Sequence, residues 1–376
     1  MIVIDVRYIR ERPSGISPYA QALVDHLPLL APQWEFLFLK HPKAPARLSS
    51  QPNTHEIVVP YEANGPATMW LLPRLVDLSR ATLFHGTFNI QPAGLKMPVI
   101  TTVHDVMWLK HPEWARSAGW KGVVETAFYQ HGIRRALKHA ARIPTISQSS
   151  KDEIATIDPK AAERTRVTMF GVSDEWRPVT SEEDSLAARD ARQKWAPGAE
   201  RYILTVGQYA PYKNHPAVLR AFASAFKKDD SMHLVFVQRL GEGSRALSAM
   251  ARDLGIEARV HFAKNVPFSE LRALFWGATA LCHPSLYEGF GNPPSEALGA
   301  GCPVITSNRS SMPEVSTGAG ILVDPESDQA IAEALQKVAD DAALARQMRD
   351  AGLEKVKQFR WPVIMQRVLD IYREVL

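Results

Sequence analysis

Residues 285–304, "SLYEGFGNPPSEALGAGCPV", place two carboxylates, Glu288 and Glu296, eight positions apart in a segment crowded with glycine and proline. The apolar "ALCHP" before it reads as a buried strand and "LYEGFGN" as a loop. "PPSEALGAG" reads as a helix, because proline suits the first helical turn and glycine the left-handed exit. In open α/β sheets such loops, at the carboxyl ends of strands, are where ligands bind, and the free N–H groups of the following helix favour anions. Gly289 and Gly291 let backbone approach a bulky anion with no Cβ between. Two carboxylates repel a phosphate, so their own partners are expected to be the hydroxyls of a polyol, a ribose or a hexose. Spacing alone equally allows Glu296 to complement a helix dipole and Glu288 to be solvated.

On both sides of this stretch, short apolar runs alternate with amphipathic ones. "MIVIDV", "WEFLFL", "HEIVVP", "PVITTV", "RIPTI" and "VTMF" are separated by helical patterns at 17–27 and 118–140. A second series begins at "YILTVG" and continues through "HLVFV", "VHF", "ALCHP" and "PVIT", with helices expected at 214–226, 244–254, 269–278, 293–300 and 327–340. Alternation on this scale means βαβ units and parallel sheets. A chain of 376 residues exceeds one hydrophobic core, so two domains are expected. They are 1–172 and 201–360, joined by a polar, acidic linker at 173–200. The last segment, "RWPVIMQRVLDIYREVL", predicts an amphipathic helix over 361–376 with an apolar stripe through Val363, Val368 and Ile371 or Tyr372.

Charge divides along the chain. Residues 1–172 hold 20 Lys and Arg against 14 Asp and Glu, a net of +6, and the remainder holds 24 against 26, a net of −2. A basic first half suits an anionic membrane surface or a phosphate-bearing substrate. Nucleic acid calls for denser clusters than "IRRALKHAAR" at 133–142, which reads as a solvated helix face. The opening segment has its apolar run before its basic residues, the reverse of a signal peptide, and no apolar run is long enough to span a bilayer. A cytoplasmic location is expected. The two cysteines, Cys282 and Cys302, adjoin β-like runs and are expected as buried thiols.

Three further segments carry candidate chemistry. In "RPSGISPYAQAL", Gly15 lies at a strand-to-helix turn suited to a phosphate, or simply to a tight turn. In "ILTVGQYAPYKNHPAVLRAF", Lys213 precedes a helix and can meet a diphosphate as a mobile point charge, although alone it is equally a surface lysine. In "PVITTVHDVMWLKHPEWAR", His104 and Asp105 follow a strand and can position a substrate hydroxyl, and Trp108 and Trp114 can stack on a sugar ring. A structural histidine and a capping aspartate explain the same residues. His104 and His111 lack metal-ligand spacing, and the acid pairs at 229–230 and 340–341 sit in helix-end or linker contexts, so no metal site is expected.

Together these segments resemble the family 4 retaining glycosyltransferases of the GT-B fold, over nearly the full length of the chain. Glu288-x7-Glu296 is similar to the family's donor loop, "TVGQYAPYKN" to its lysine segment, "SGISPYAQAL" to its N-terminal glycine loop and "TVHDVMWLKHPE" to its acceptor-side segment. "PTISQSSKDEI" and "VTMFGVSDEWRP" are similar to the run between its domains. The resemblance implies two Rossmann-like domains facing across a cleft, with the C-terminal helix 361–376 crossing back to the first. It implies a catalytic set of Lys213, Glu288 and His104. Donor contacts would come from Gly15, Gln208, Lys213, the backbone at Val266, Glu288, Gly289, Phe290, Gly291, Asn292 and Glu296, with Glu296 on the nucleotide ribose and Glu288 on the sugar. Asp105 and Trp108 would face the acceptor.

Two departures stand out. The family often has arginine at the positions of Gln208 or Tyr212, and an aliphatic residue at that of Asn292. Lys213, helped by helix amides or by Arg239, would then neutralise the diphosphate.

The implied activity is metal-independent transfer of a hexose, with retention, to a glycan or polyprenyl-diphosphate-linked acceptor in surface polysaccharide assembly. GDP-mannose is favoured over UDP-glucose as donor. No cofactor is implied beyond this co-substrate, and peripheral attachment to the inner membrane face fits the basic first half. A nucleotide-sugar epimerase on the same fold and a non-catalytic nucleotide-sugar-binding partner are the alternatives.

Overall fold

The computed structural model describes residues 1–10, 15–117, 119–237 and 242–376. They form two compact units, Met1–Gly171 with Trp361–Leu376 (unit 1) and Val172–Arg360 (unit 2).

Unit 1 is built on five parallel strands: β1 (Ile2–Asp5), β2 (Phe36–Lys40), β3 (Thr54–Val58), β4 (Leu83–Gly86) and β5 (Val99–Thr101), in the order β3-β2-β1-β4-β5. A pair of short strands, β6 (Ile143–Thr145) and β7 (Thr165–Val167), continues it. β1, β2 and β4 are buried along their whole length, which is why "IVID" and "FLFLK" read as unbroken apolar runs. β3 lies at the sheet edge and is largely exposed.

Unit 2 has six parallel strands: β8 (Arg201–Val206), β9 (Met232–Val237), β10 (Val260–Ala263), β11 (Ala280–His283), β12 (Val304–Ser307) and β13 (Gly320–Val323), in the order β10-β9-β8-β11-β12-β13. Its largest core packs one face of this sheet, through Ile203, Leu234, Phe236, Cys282 and Ile305, against the helices 215–225, 242–253 and 328–340, through Val218, Phe222, Leu247 and Leu335. Both cysteines are buried here, and burial pushes each thiol up to about 12.

The terminal helix Trp361–Arg373 belongs to unit 1, as the resemblance implied. Tyr372 shares a 2.6 Å hydrogen bond with His85 Nδ1 inside the β-sheet core, and Arg142 Nε donates to Glu374 at 2.7 Å. Trp361 packs against Phe170 and lies so close to Gly171 that a Cβ there would sit 2.0 Å from its ring. The buried stripe runs through Trp361, Ile364, Met365, Val368, Leu369, Ile371 and Tyr372. Val363, expected on that stripe, is instead 41% exposed.

Residues 173–200, expected as a linker, fold as part of unit 2. They contain the helix Glu182–Trp195, capped by Ser181 Oγ, with three acids in its first turn and Arg192 and Lys194 in its last, matching the helix dipole at both ends. Arg177 pairs with Asp184 at 2.6 Å, and Trp195 Nε1 donates to Glu270 at 2.5 Å. The segment looked like a linker because its outward face is almost wholly polar.

Among the described residues, no helix is long and apolar enough to cross a membrane.

Candidate active site

The chain runs from β8 to β9 and β10 on one side of the second sheet, and from β11 to β12 and β13 on the other. β8 and β11 therefore flank the point where the strand order reverses, and their carboxyl ends open on one crevice. Lys213 follows β8 and Glu288 follows β11. The structure brings these two together, with Lys213 Nζ 2.5 Å from Glu288 Oε1 and both side chains about 10% exposed.

Backbone hydrogen bonds fix the two loops against each other. Leu286 N–H donates to the Tyr212 carbonyl at 2.7 Å, and the Asn214 amide donates to the carbonyls of Pro284 and Pro325 at 3.2 and 2.7 Å. Asn214 takes the left-handed conformation (φ 57°), which turns the chain from the short 3-10 turn Pro211–Lys213 into the helix His215–Ala225.

Glu288 Oε1 accepts two more hydrogen bonds, from His283 Nε2 at 2.9 Å and Ser285 Oγ at 2.8 Å. Burial alone would raise this carboxyl, but the Lys213 charge and the His283 hydrogen bond outweigh it and hold it down at about 2. All three partners converge on Oε1, and Oε2 accepts no hydrogen bond among the described residues. The loop's carbonyls are tied as well, since Ser310 and Ser311 donate to Glu288 O and Ser311 to Phe290 O. His283, Ser285, Ser310 and Ser311 were not singled out from the sequence. "CHPS" was read as a strand ending, and the serine run "SNRSS" after β12 was the signal that a loop needed donors.

Glu296 lies in the second turn of the helix Asn292–Ala300. Its carboxylate makes no hydrogen bond among the described residues, and burial pushes it up to about 7. Two glutamates on one motif thus sit on opposite sides of the ordinary value. One has its charge compensated; the other awaits donors.

Gly291 caps this helix at φ 110°, a conformation that requires glycine, and a Cβ there would sit 2.2 Å from Met312 Cε, so the methionine would also have to move. Gly289 precedes it in the same loop. The Phe290 ring is buried against Phe359, leaving the backbone as its ligand-facing part, and Asn292 is half-buried at the first helical position.

Gln208 is exposed and donates to Tyr212 Oη at 3.3 Å. Val266 is half-buried in the loop after β10, on the same carboxyl edge of the sheet. Arg239 lies outside the described residues.

The remaining predicted residues belong to unit 1. His104 is 5% exposed, and its Nε2 donates to the Thr87 carbonyl at 2.9 Å. A carbonyl can only accept, so Nδ1 holds the lone pair in the neutral ring. Burial lowers His104 to about 4, so the ring is neutral near pH 7. Asp105 is half-buried, and its Oδ1 accepts from Met107 N–H at 3.0 Å, the capping role the sequence allowed. Trp108 stacks on Tyr129 at 4.4 Å, which occupies one face of its ring, and Trp114 stacks on His111. Gly15 is exposed, ahead of the helix Ser17–Leu30, with open space where a Cβ would stand.

A carboxylate with one oxygen unpartnered among the described residues, a buried ammonium group and the amino end of a nine-residue helix lie at the carboxyl edge of a sheet's switch point. Residues 188–355, nearly all of unit 2, match the family described as glycosyl transferases group 1. The chain is 28% identical over 297 residues to O-antigen chain mannosyltransferase B of Escherichia coli, a match covering 77% of this chain and 74% of that protein. It is 27% identical over 300 residues to the MMP alpha-(1->4)-mannosyltransferase of Mycolicibacterium hassiacum, covering 77% of this chain and 69% of the relative. Sucrose-phosphate synthase from Thermosynechococcus elongatus shares the fold with a TM-score of 0.74 at 21% identity, over 99% of this chain and 98% of that one. The fold is GT-B, with a parallel sheet in each unit.

Proposed function

We propose that this protein is a glycosyltransferase that moves a hexose from a nucleoside diphosphate donor to a hydroxyl of a glycan or polyprenyl-diphosphate-linked acceptor, with retention and without a metal ion. The observation that carries this reading is the buried Lys213–Glu288 pair, 2.5 Å apart at the switch point. The names of the curated relatives support mannose as the sugar, and so GDP-mannose as the donor, with surface polysaccharide as the setting. The enzyme would work at the cytoplasmic face of the membrane.

In this reading Lys213 turns from Glu288 to the donor's diphosphate, and the N–H groups of Gly291 and Asn292 add a fixed positive potential. Glu288 Oε2 accepts from the sugar hydroxyls, and Glu296 accepts from the ribose. The bond from the anomeric carbon to the diphosphate breaks as the acceptor oxygen attacks from the same face. The acceptor's proton passes to the departing phosphate oxygen. Both glutamates are engaged with hydroxyls, so neither is assigned as a nucleophile for double displacement. In unit 1, neutral His104 would accept a hydrogen bond from a substrate hydroxyl at Nδ1, and Asp105 and Trp108 would lie toward the acceptor.

Incubation with GDP-mannose or UDP-glucose and a lipid-linked glycan acceptor tests this reading, with released nucleotide and product anomer measured together. Acceptor-dependent GDP release with an α-mannosyl product is expected. An isomerised donor in the absence of acceptor would indicate an epimerase, and donor binding with no release would indicate a non-catalytic partner.

A further inference from the structure

The central charges in the crevice of unit 2 cancel as they stand. Lys213 Nζ lies 2.5 Å from Glu288 Oε1, and a cation paired this closely with a carboxylate has little field left for an anion. The proposed reaction needs that field at the donor's diphosphate, so the ammonium group needs a second support that does not neutralise it. An aromatic face is such a support, because its quadrupole attracts a cation while the ring carries no net charge.

Tyr212 offers that face. Lys213 Nζ lies over its ring, 5.4 Å from the centroid, within the range at which an ammonium group is attracted. The ring is fixed independently of the lysine. Tyr212 belongs to the 3-10 turn Pro211–Lys213, its carbonyl accepts from Leu286 N–H at 2.7 Å, and its Oη accepts from Gln208 Nε2 at 3.3 Å. The first bond ties the turn to the loop that carries Glu288, and the second ties the phenol to the loop directly after β8. The lysine stem runs along the end of β8, since a Cβ on Gly207 would stand 3.7 Å from Cε, 3.8 Å from Cδ and 4.0 Å from Nζ. The ammonium end thus has the Glu288 carboxylate and the Tyr212 face as neighbours, with glycine backbone along its stem.

We propose that Tyr212 is a positioning residue for Lys213: its ring face holds the ammonium group, still charged, against the donor's diphosphate when Lys213 leaves Glu288, and Gln208 fixes the ring by its hydrogen bond to Oη. The assignment depends on this crevice taking a nucleoside diphosphate sugar, the reading given above. It gives Gln208 a place as well. The side chain implied as a donor contact acts on the donor through Tyr212. A cation at either position would bring its own charge to the diphosphate, whereas a glutamine–tyrosine pair leaves Lys213 to supply it.

Replacing Tyr212 by phenylalanine carrying zero, one, two or three ring fluorines tests the proposal, because each fluorine withdraws density from the ring face with little change of shape. Calorimetric titration with GDP-mannose and with UDP-glucose should show affinity for the bound donor falling stepwise along the series, by about tenfold from Tyr212→Phe to the trifluorinated ring. Tyr212→Leu should lose at least as much. Tyr212→Phe and Gln208→Ala should each weaken the donor about threefold, and the double variant no further. Thermal midpoints should stay level along the fluorinated series, and a ring that only packs would give one affinity at every step. An affinity independent of fluorination, or Tyr212→Leu binding like wild type, would overturn the proposal, and additive losses in the double variant would overturn its Gln208 half. Failure of the wild-type protein to bind either nucleotide sugar would instead remove the donor reading itself, and the role of Tyr212 with it.

Discussion

Lys213 Nζ and Glu288 Oε1 are 2.5 Å apart, each almost enclosed, and 75 residues separate them in sequence. A buried ion pair of this kind contributes little net stability, but losing one partner leaves an uncompensated charge. Lys213→Ala and Glu288→Gln are each expected to cost about 3 kcal/mol of unfolding free energy, and the double variant less than the sum. Denaturant titration of all four proteins measures the coupling. Additive losses would remove the pair from the account.

Glu288 also sets an acid limb. Its folded-state value is depressed to about 2 from an ordinary 4.5, so its contribution to stability is complete above about 4.5 and is lost as pH falls toward 2. Wild-type stability should therefore decline through that window more steeply than that of Glu288→Gln. Denaturation midpoints taken across the window would show parallel curves if the carboxyl were unshifted.

Glu296 gives the opposite sign. A carboxyl raised to about 7 binds its proton more tightly in the folded state, so stability is greatest below about 4.5 and falls as pH rises through 7. Glu296→Gln should abolish that decline, a gain of up to about 3 kcal/mol at alkaline pH. Ribose hydroxyls donating to the ionised carboxylate would tighten donor binding as pH rises from about 6 to about 8. Calorimetry with GDP-mannose should find this pH dependence in wild type and none in Glu296→Gln.

His283 acts through Glu288. Its Nε2 lies 2.9 Å from Glu288 Oε1, and a glutamine amide can reproduce that donor. His283→Phe is expected to lower kcat about tenfold, or about 1.4 kcal/mol in barrier, while His283→Gln keeps most of it. Equal losses in both would reduce the histidine to packing.

Gly291→Ala is expected to destabilise unit 2 by about 2 kcal/mol and to weaken donor binding, because φ is 110° and Met312 fills the space. Thermal unfolding with and without donor measures both effects.

Much of the fold was legible in the sequence where burial is two-sided: "IVID", "FLFLK" and "HLVFV" are fully enclosed strands, and their apolar runs announced them. β4 was not singled out, because "LFHG" is short and carries a histidine whose hydrogen bonds to Tyr372 and Thr102 only the fold reveals. Val363 was placed on the terminal helix's buried stripe because its hydropathy fits, yet the neighbouring Ile364 and Met365 take that face. The two glutamates and Lys213 could be named from motif spacing and turn chemistry. Their contrasting electrostatics could not, since these depend on His283, Ser285 and the depth of each carboxyl, which are properties of packing.

The central claim is that Lys213, Glu288 and Glu296 hold an activated sugar at the carboxyl edge of the second sheet. Calorimetric titration of GDP-mannose into wild type, Lys213→Ala, Glu288→Ala and Glu296→Ala measures it most directly. The account predicts at least about tenfold weaker binding for each variant that remains folded. Wild-type affinity in all three folded variants would contradict it.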